Sequence, residues 1–167
     1  MTLVTVDHRL SLSLYHFAER HTVVRHTARF CASVLIWVLA TAVITGLAIT
    51  SPLVGLPVLV GAFFLGHIIN AVVEHYRWRE RPYKTHIFEP LIATRWLHGS
   101  FPSDHAMMAF VLAGVWTGMG ETLTVIAILV AVLIGVGRIA VGVHYVSDVV
   151  VGAFVGMVSA AAFTALF

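Results

Sequence analysis

Polar residues come in clumps along this chain, separated by long apolar runs. Uncharged stretches lie at about residues 30–50, 53–73, 106–120, 122–137 and 149–167. A membrane-crossing helix needs about 20 mostly apolar residues, so the pattern predicts five spans. The third reaches that length only if Phe101–His105 joins its helix, and the fourth only if it takes in Arg138. Ahead of them, Leu10–Phe17 alternates apolar and small polar residues between Arg9 and Arg20, which predicts an amphipathic helix lying in the interface. The links at Thr50–Pro52 and Gly118–Gly120 are tight, whereas Tyr76–Phe101 is one long connection. With no internal repeat or low-complexity tract, the expectation is an all-α integral membrane helix bundle. It forms a single membrane-embedded domain over 1–167, with 1–27 as an interfacial N-terminal segment.

Composition strengthens this reading. Of 167 residues, 59% are hydrophobic and 11% charged, with a mean hydropathy of +0.94, far from the balance of soluble domains. A membrane is the expected partner, and nucleic acid is not. The single cysteine, Cys31, excludes an internal disulfide framework and a multi-cysteine metal site. The first residues lack the basic-then-apolar order and small-residue cleavage site of a signal peptide, so the spans are expected to serve as their own targeting signal.

If the spans alternate in direction, the end of the second, the start of the third, the end of the fourth and the start of the fifth meet on one side. Those points carry "EHYRWRERPYKTH", "FPSDH", "GR" and "HYVSD", while the other side offers only Thr50, Ser51, Glu121 and an apolar C-terminus. A composite site follows. Arg81 and Arg138 stay cationic and present forked donors that match phosphate oxygens, so together they imply an anionic ligand. Ser103 falls at the expected N-terminus of the third helix, where free N–H groups and the dipole favour an anion, with Pro102 just before it. His105, in the first turn, is placed to protonate a leaving group. His144 and Asp148, four apart, would share one face of the fifth helix, the carboxylate taking the imidazole N–H and making the other nitrogen the better nucleophile. The same pair could be half of a metal site, yet no His-Glu-x-x-His or cysteine pair supports one and the arginines would repel a cation. Neither a metal nor another cofactor is expected.

The motifs Arg81–Pro82, "FPSDH" at Phe101–His105 and "GRIAVGVHYVSD" at Gly137–Asp148 resemble the three signatures of the type 2 phosphatidic acid phosphatase superfamily. That fold also houses the vanadium haloperoxidases, and the likeness runs over roughly 53–160. The aspartate inside the "FPSDH" motif and the short N-terminal helix are similar to the bacitracin-resistance type of undecaprenyl-diphosphate phosphatase. The resemblance implies metal-independent hydrolysis in two steps. His144 would be the nucleophile forming a phosphohistidine, Asp148 its orienting partner and His105 the general acid. Arg81, Ser103 and Arg138 would hold the phosphoryl group, and Asp104 is counted with this phosphate-binding set. The expected substrate is a lipid phosphate reached within the bilayer: a polyprenyl diphosphate, with phosphatidylglycerophosphate, phosphatidate or a polyprenyl-phosphosugar as alternatives.

This chain departs from the family pattern twice. A lysine is expected seven residues before the motif arginine, where Glu74 stands, and a serine where Gly137 stands. Lys84 or Arg77 is the expected substitute for the lysine. Glu74 shares a helical face with Asn70 and His67, and is expected to pair with Arg77, Arg81 or Arg138 or, alternatively, to serve the substrate's head group. His8, His16, His21, His26, His75, His86 and His98 are read as bystanders, and Trp78, Trp96, Tyr76 and Tyr83 as an interfacial belt. Gly152-x-x-x-Gly156 reads as helix packing. All ten Lys and Arg residues fall on the site side, which the positive-inside rule would make cytoplasmic. The resemblance instead implies the outer face of the plasma membrane. A catalytically silent lipid-binding member of the fold would have lost a histidine or the aspartate, and a transport subunit would spread polar residues through its spans. This sequence does neither.

Overall fold

The computed structural model describes residues 3–94 and 99–166. Arg95, Trp96 and His98 lie outside the described residues. The chain folds into helices α1 (Leu3–Arg20), α2 (Thr22–Ser33), α3 (Leu35–Thr50), α4 (Gly55–Tyr76), α5 (Pro82–Thr85), α6 (Asp104–Val115), α7 (Glu121–Ala140) and α8 (Val146–Thr164), with a 3₁₀ turn at Trp116–Met119. Among the described residues there is no strand. This is an all-α membrane bundle.

Helices α4, α7 and α8 are each long and apolar enough to cross a membrane. The first apolar run is not one straight span. It breaks at Val34 into α2 and α3, which meet at 42° and together make a fourth crossing path. The third run is shorter than expected, because Phe101–Ser103 stays outside the helix and Ser103 is its N-cap. Twelve α-helical residues and one 3₁₀ turn rise roughly 26 Å. That short reach suits α6, since most of Ala106–Val115 is buried against other helices and not against lipid. A helix apolar on every side belongs in the centre of a bundle.

Glycines set the spacing at that centre. A Cβ on Gly152 would lie 2.4 Å from the Ser103 carbonyl oxygen, and one on Gly156 would lie 2.4 Å from that of Met107. Helices α6 and α8 therefore run side by side, in parallel, at backbone contact, as the Gly-x-x-x-Gly spacing leads one to expect. Gly66 against Met107 and Asn70 against Asp104 make α4 antiparallel to α6, while Gly135 against Val149 makes α7 antiparallel to α8. The polar ends of α4, α6, α7 and α8 consequently meet on one side.

Helix α1 inverts the arrangement of a water-facing helix. Ser11, Tyr15 and Ala18 are buried against the bundle, whereas Leu10, Leu14 and Phe17 face outward, as suits a helix bathed in lipid at the interface. Trp78 and Tyr76 are likewise exposed beside the polar end.

The α6–α8 contact generates a prediction. Alanine normally stabilises a helix by ~1 kcal/mol over glycine. At Gly152 the new methyl meets rigid backbone, so Gly152→Ala is expected to destabilise by about 1–3 kcal/mol. Thermal unfolding of the detergent-solubilised protein checks this, and an unchanged or raised midpoint would show that the two helices separate without cost.

Candidate active site

The sequence motifs converge on one cavity of about 180 Å³, into which Arg81, Asp104, His105, Arg138, His144 and Glu74 project. Each arrives by a local rule. Arg81 is the N-cap of α5, its extended backbone followed by Pro82 at the first helical position, where proline needs no N–H. Arg138 lies in the last turn of α7, where a cation complements the helix dipole. His105 sits in the first turn of α6, which opens with Asp104.

His144 is placed differently from the expectation. It lies in the 141–145 connection, before α8, whose N-cap is Tyr145. Its Nδ1 is 2.7 Å from the carbonyl oxygen of Ser100 and 3.7 Å from Asp148 Oδ2. A carbonyl oxygen only accepts, so Nδ1 carries the hydrogen and Nε2 keeps its lone pair. That lone pair faces Arg81, whose Nη1 lies 3.4 Å away and also donates to the Val143 carbonyl at 3.2 Å. The carboxylate does not take the imidazole N–H because it is engaged elsewhere. As the third residue of α8, Asp148 accepts the Tyr145 N–H on Oδ2 at 2.8 Å and Arg79 Nη1 on Oδ1 at 2.8 Å.

Two guanidiniums, Arg81 and Arg138, face the cavity, with the carboxylates of Glu74 and Asp104 also in its lining. Arg138 is only 3% exposed; its Nη1 donates to the Ala32 carbonyl at 3.1 Å, while its buried Nε has no partner among the described residues. Ala32 lies at the α2–α3 break, where helix carbonyls lose their regular partners. Burial, with the Arg138 and Arg81 guanidiniums, holds the His144 imidazole well below its usual range. Burial also lowers Arg81 from the ordinary guanidinium value.

The remaining expected residues are each placed differently. Ser103 is fully buried as the α6 cap, its Oγ accepting the Ala106 N–H at 3.4 Å, and its backbone N–H donates to the Asp148 carbonyl at 3.0 Å. Asp104 Oδ1 accepts the Asn70 amide at 2.8 Å, which explains why Asn70 is buried on the shared face of α4. Glu74 Oε1 accepts the Gly99 N–H at 2.7 Å, so a backbone amide holds the carboxylate where an arginine was expected. Lys84 and Arg77 are exposed at the surface and do not line the cavity, so neither fills the place of the family lysine. Gly137 also has a structural cause. A Cβ there would lie 2.8 Å from the Ala32 nitrogen and from Cys31 Cβ, so α2 leaves no room for a serine.

Two cavity neighbours were not singled out in the sequence. Ser100 orients His144 through a main-chain carbonyl, which no side-chain pattern announces. Arg79 is one of three arginines in "RWRER", and only the fold distinguishes the one that reaches Asp148. Among the described residues, no three His, Cys, Asp or Glu side chains cluster as metal ligands.

A family model described as the PAP2 superfamily matches residues 55–167. The chain belongs to the PAP2 superfamily. Among solved structures, this PAP2 protein is similar to LpxE of Aquifex aeolicus, with a TM-score of 0.73 and 27% identity over 93% of this chain and 95% of that one. A transmembrane PAP2-type phosphatidylglycerolphosphate phosphatase from Bacillus subtilis gives a TM-score of 0.70 over 98% of this chain and 85% of that one. Its identity is 23%, a likeness of fold. No curated protein matches the chain. Family and neighbours together support a membrane-embedded phosphoric-ester hydrolase.

The depressed His144 pKa has a measurable consequence. The imidazole is expected to remain neutral at pH 6, where an ordinary histidine with a pKa near ~6.5 is mostly charged. An unfolded chain takes up that proton and the folded site does not, so this residue's contribution to stability is lost as pH falls below about 6.5. Nitrogen chemical shifts of histidine-labelled protein, assigned with His144→Gln, check the first statement. An ordinary titration midpoint would contradict the buried, arginine-flanked geometry.

Proposed function

We propose that this PAP2 protein is a metal-independent lipid phosphatase that hydrolyses a polyprenyl diphosphate to the monophosphate through a phosphohistidine. The observation that carries the reading is Arg138, buried with an unpartnered Nε beside Arg81, His105 and His144 in one cavity. A buried guanidinium without a carboxylate demands an anion. Arg81 and Arg138 hold the phosphoryl oxygens, joined by the first N–H groups of α6 that Ser103 leaves uncapped. His144 Nε2 attacks phosphorus as the bond to the leaving oxygen breaks, and Nδ1–H stays on the Ser100 carbonyl. His105 gives its proton to the leaving group and then takes one from the water that attacks the phosphohistidine, releasing inorganic phosphate and free His144.

The polyprenyl diphosphate is favoured by the form of the "FPSDH" motif and by a second opening. A groove of about 780 Å³ runs from His105 and Arg138 between the α2–α3 break and Leu91–Ala93, flanked by Phe30 and Val34, with Arg29 at its rim. It offers an apolar path for a lipid chain and a cation for a second phosphate. The subgroup likeness favours a site on the outer face of the plasma membrane. A second reading rests on Glu74 and Asp104, two carboxylates in the cavity. They disfavour a second phosphate there and favour a leaving group with hydroxyl donors, as in phosphatidylglycerophosphate or a polyprenyl-phosphosugar.

Phosphate release from farnesyl diphosphate, phosphatidate and phosphatidylglycerophosphate, in EDTA and with His144→Ala alongside, tests the reaction. Release that survives EDTA and disappears in the variant is expected, and equal release by the variant would refute the phosphohistidine. Glu74→Gln separates the two substrates. Activity on the diphosphate is expected to rise several-fold as repulsion is removed, whereas a matching fall on hydroxyl-bearing lipids would favour the second reading.

A further inference from the structure

Helix α1 lies outside residues 55–167, yet it touches the catalytic end of α8 through a closed set of polar contacts. The first N–H groups of a helix have no intrahelical partner. In α8 two of them are taken by α1. Ser11 Oγ accepts the Val146 N–H at 3.0 Å, and Asp7 Oδ1 accepts the Ser147 N–H at 2.9 Å. Asp7 Oδ2 also accepts the Ser147 hydroxyl at 2.6 Å and Arg79 Nη2 at 2.8 Å. The other arm of Arg79, Nη1, donates to Asp148 Oδ1 and to Ser147 Oγ, each at 2.8 Å. Between them lies Tyr145, with the Arg79 guanidinium 3.7 Å over its ring and the His8 ring of α1 stacked on it at 4.5 Å. Tyr145 directly follows His144.

We propose that α1 is a working part of the PAP2 site and that Asp7 is a positioning residue for His144. Asp7 acts through two routes that converge on the same short segment. It caps the α8 N-terminus, fixing where the connection carrying His144 ends, and it aligns Arg79, which holds Asp148 and covers Tyr145. Burial alone would raise the Asp7 carboxyl, but the hydrogen bonds from Ser147 and Arg79 outweigh it and keep the group below its usual range, ionised throughout neutral pH. The charge is needed because Arg79 faces two carboxylates at once. Without Asp7, Arg79 is free to swing toward Asp148 alone, and the Ser147 N–H is left for water. The hydrogen bonds of Asp7 go to Ser147 and Arg79, and the anchor of Arg138 on the Ala32 carbonyl lies apart from them. Loss of Asp7 therefore misplaces the nucleophile while leaving anion binding in place.

The proposal rests on the phosphatase reading for its kinetic arm alone. The experiment compares wild type with Asp7→Asn, Asp7→Glu and the milder Ser11→Ala, each purified in detergent and checked for thermal stability. Turnover is measured on farnesyl diphosphate and on phosphatidylglycerophosphate. Affinity is measured separately for orthovanadate, whose five-coordinate form requires a bond from His144, and for sulfate, which the arginines hold without it. Asp7→Asn is expected to lower kcat on the order of tenfold or more, with KM changed less than about threefold, as misplacement of a reacting group costs rate and not binding. Vanadate affinity is expected to fall by a similar factor with sulfate affinity unchanged, Asp7→Glu to recover part of the loss, and Ser11→Ala to show the same split more weakly. Wild-type kcat and vanadate affinity in Asp7→Asn would overturn the proposal. So would parallel loss of stability, vanadate and sulfate affinity in both Asp7→Asn and Ser11→Ala, which would make α1 a purely structural brace. If wild type hydrolyses neither lipid, the substrate reading fails, and the two anion affinities still decide the positioning of His144.

Discussion

The site depends first on how closely α6 and α8 approach. Glycine at 152 and 156 lets the two helices meet at backbone contact, and the Ser103 N–H closes the gap by donating to the Asp148 carbonyl. Two helix N-termini therefore open side by side at the same level, one carrying His105 and the other preceded by His144. Wider separation by a single methyl on either helix would move His105 and His144 apart. The remaining contacts refine this placement, and none of them replaces it.

Electrostatics explains why so many main-chain carbonyls surround the cavity. Arg81 and Arg138 repel one another in a poorly solvated space, and a carboxylate directly between them would neutralise their pull on an anion. The fold instead meets part of their hydrogen-bonding need with neutral acceptors, the carbonyls of Val143 and Ala32. Ser100 does the same for His144. Dipoles satisfy donors without cancelling charge, so the two arginines stay both buried and cationic. The carboxylates near the site have partners of their own: Asp148 faces Arg79, Asp104 takes the Asn70 amide and Glu74 the Gly99 N–H.

Much of this was legible in the sequence because membrane burial enforces strong patterns. Apolar runs located the crossings, and the motifs brought Arg81, His105, Arg138 and His144 to one end of the bundle. What escaped was whatever depends on main chain or on small shifts of register. Phe101–Ser103 reads equally well as the first turn of a helix or as the loop before it, and only the capping geometry decides. The spacing of His144 and Asp148 fits a helical face, yet α8 starts two residues after the histidine. The break at Val34 follows neither proline nor glycine, so no residue type announced it. Arg79 looked the same as Arg77, since alternation in an irregular segment carries no period from which to read direction. Asp7 was invisible for a different reason: its partners lie about 70 and 140 positions along the chain.

The seam between α2 and α7 constrains any redesign of the site. Because the Ala32 nitrogen and Cys31 occupy the space that a side chain at 137 would need, and the Ala32 carbonyl also anchors Arg138, positions 31, 32 and 137 form one coupled unit. Placing a hydroxyl at 137 alone would push away the helix that steadies its neighbouring arginine. A side chain at 137 fits this fold only if the contact with α2 is redesigned as a whole.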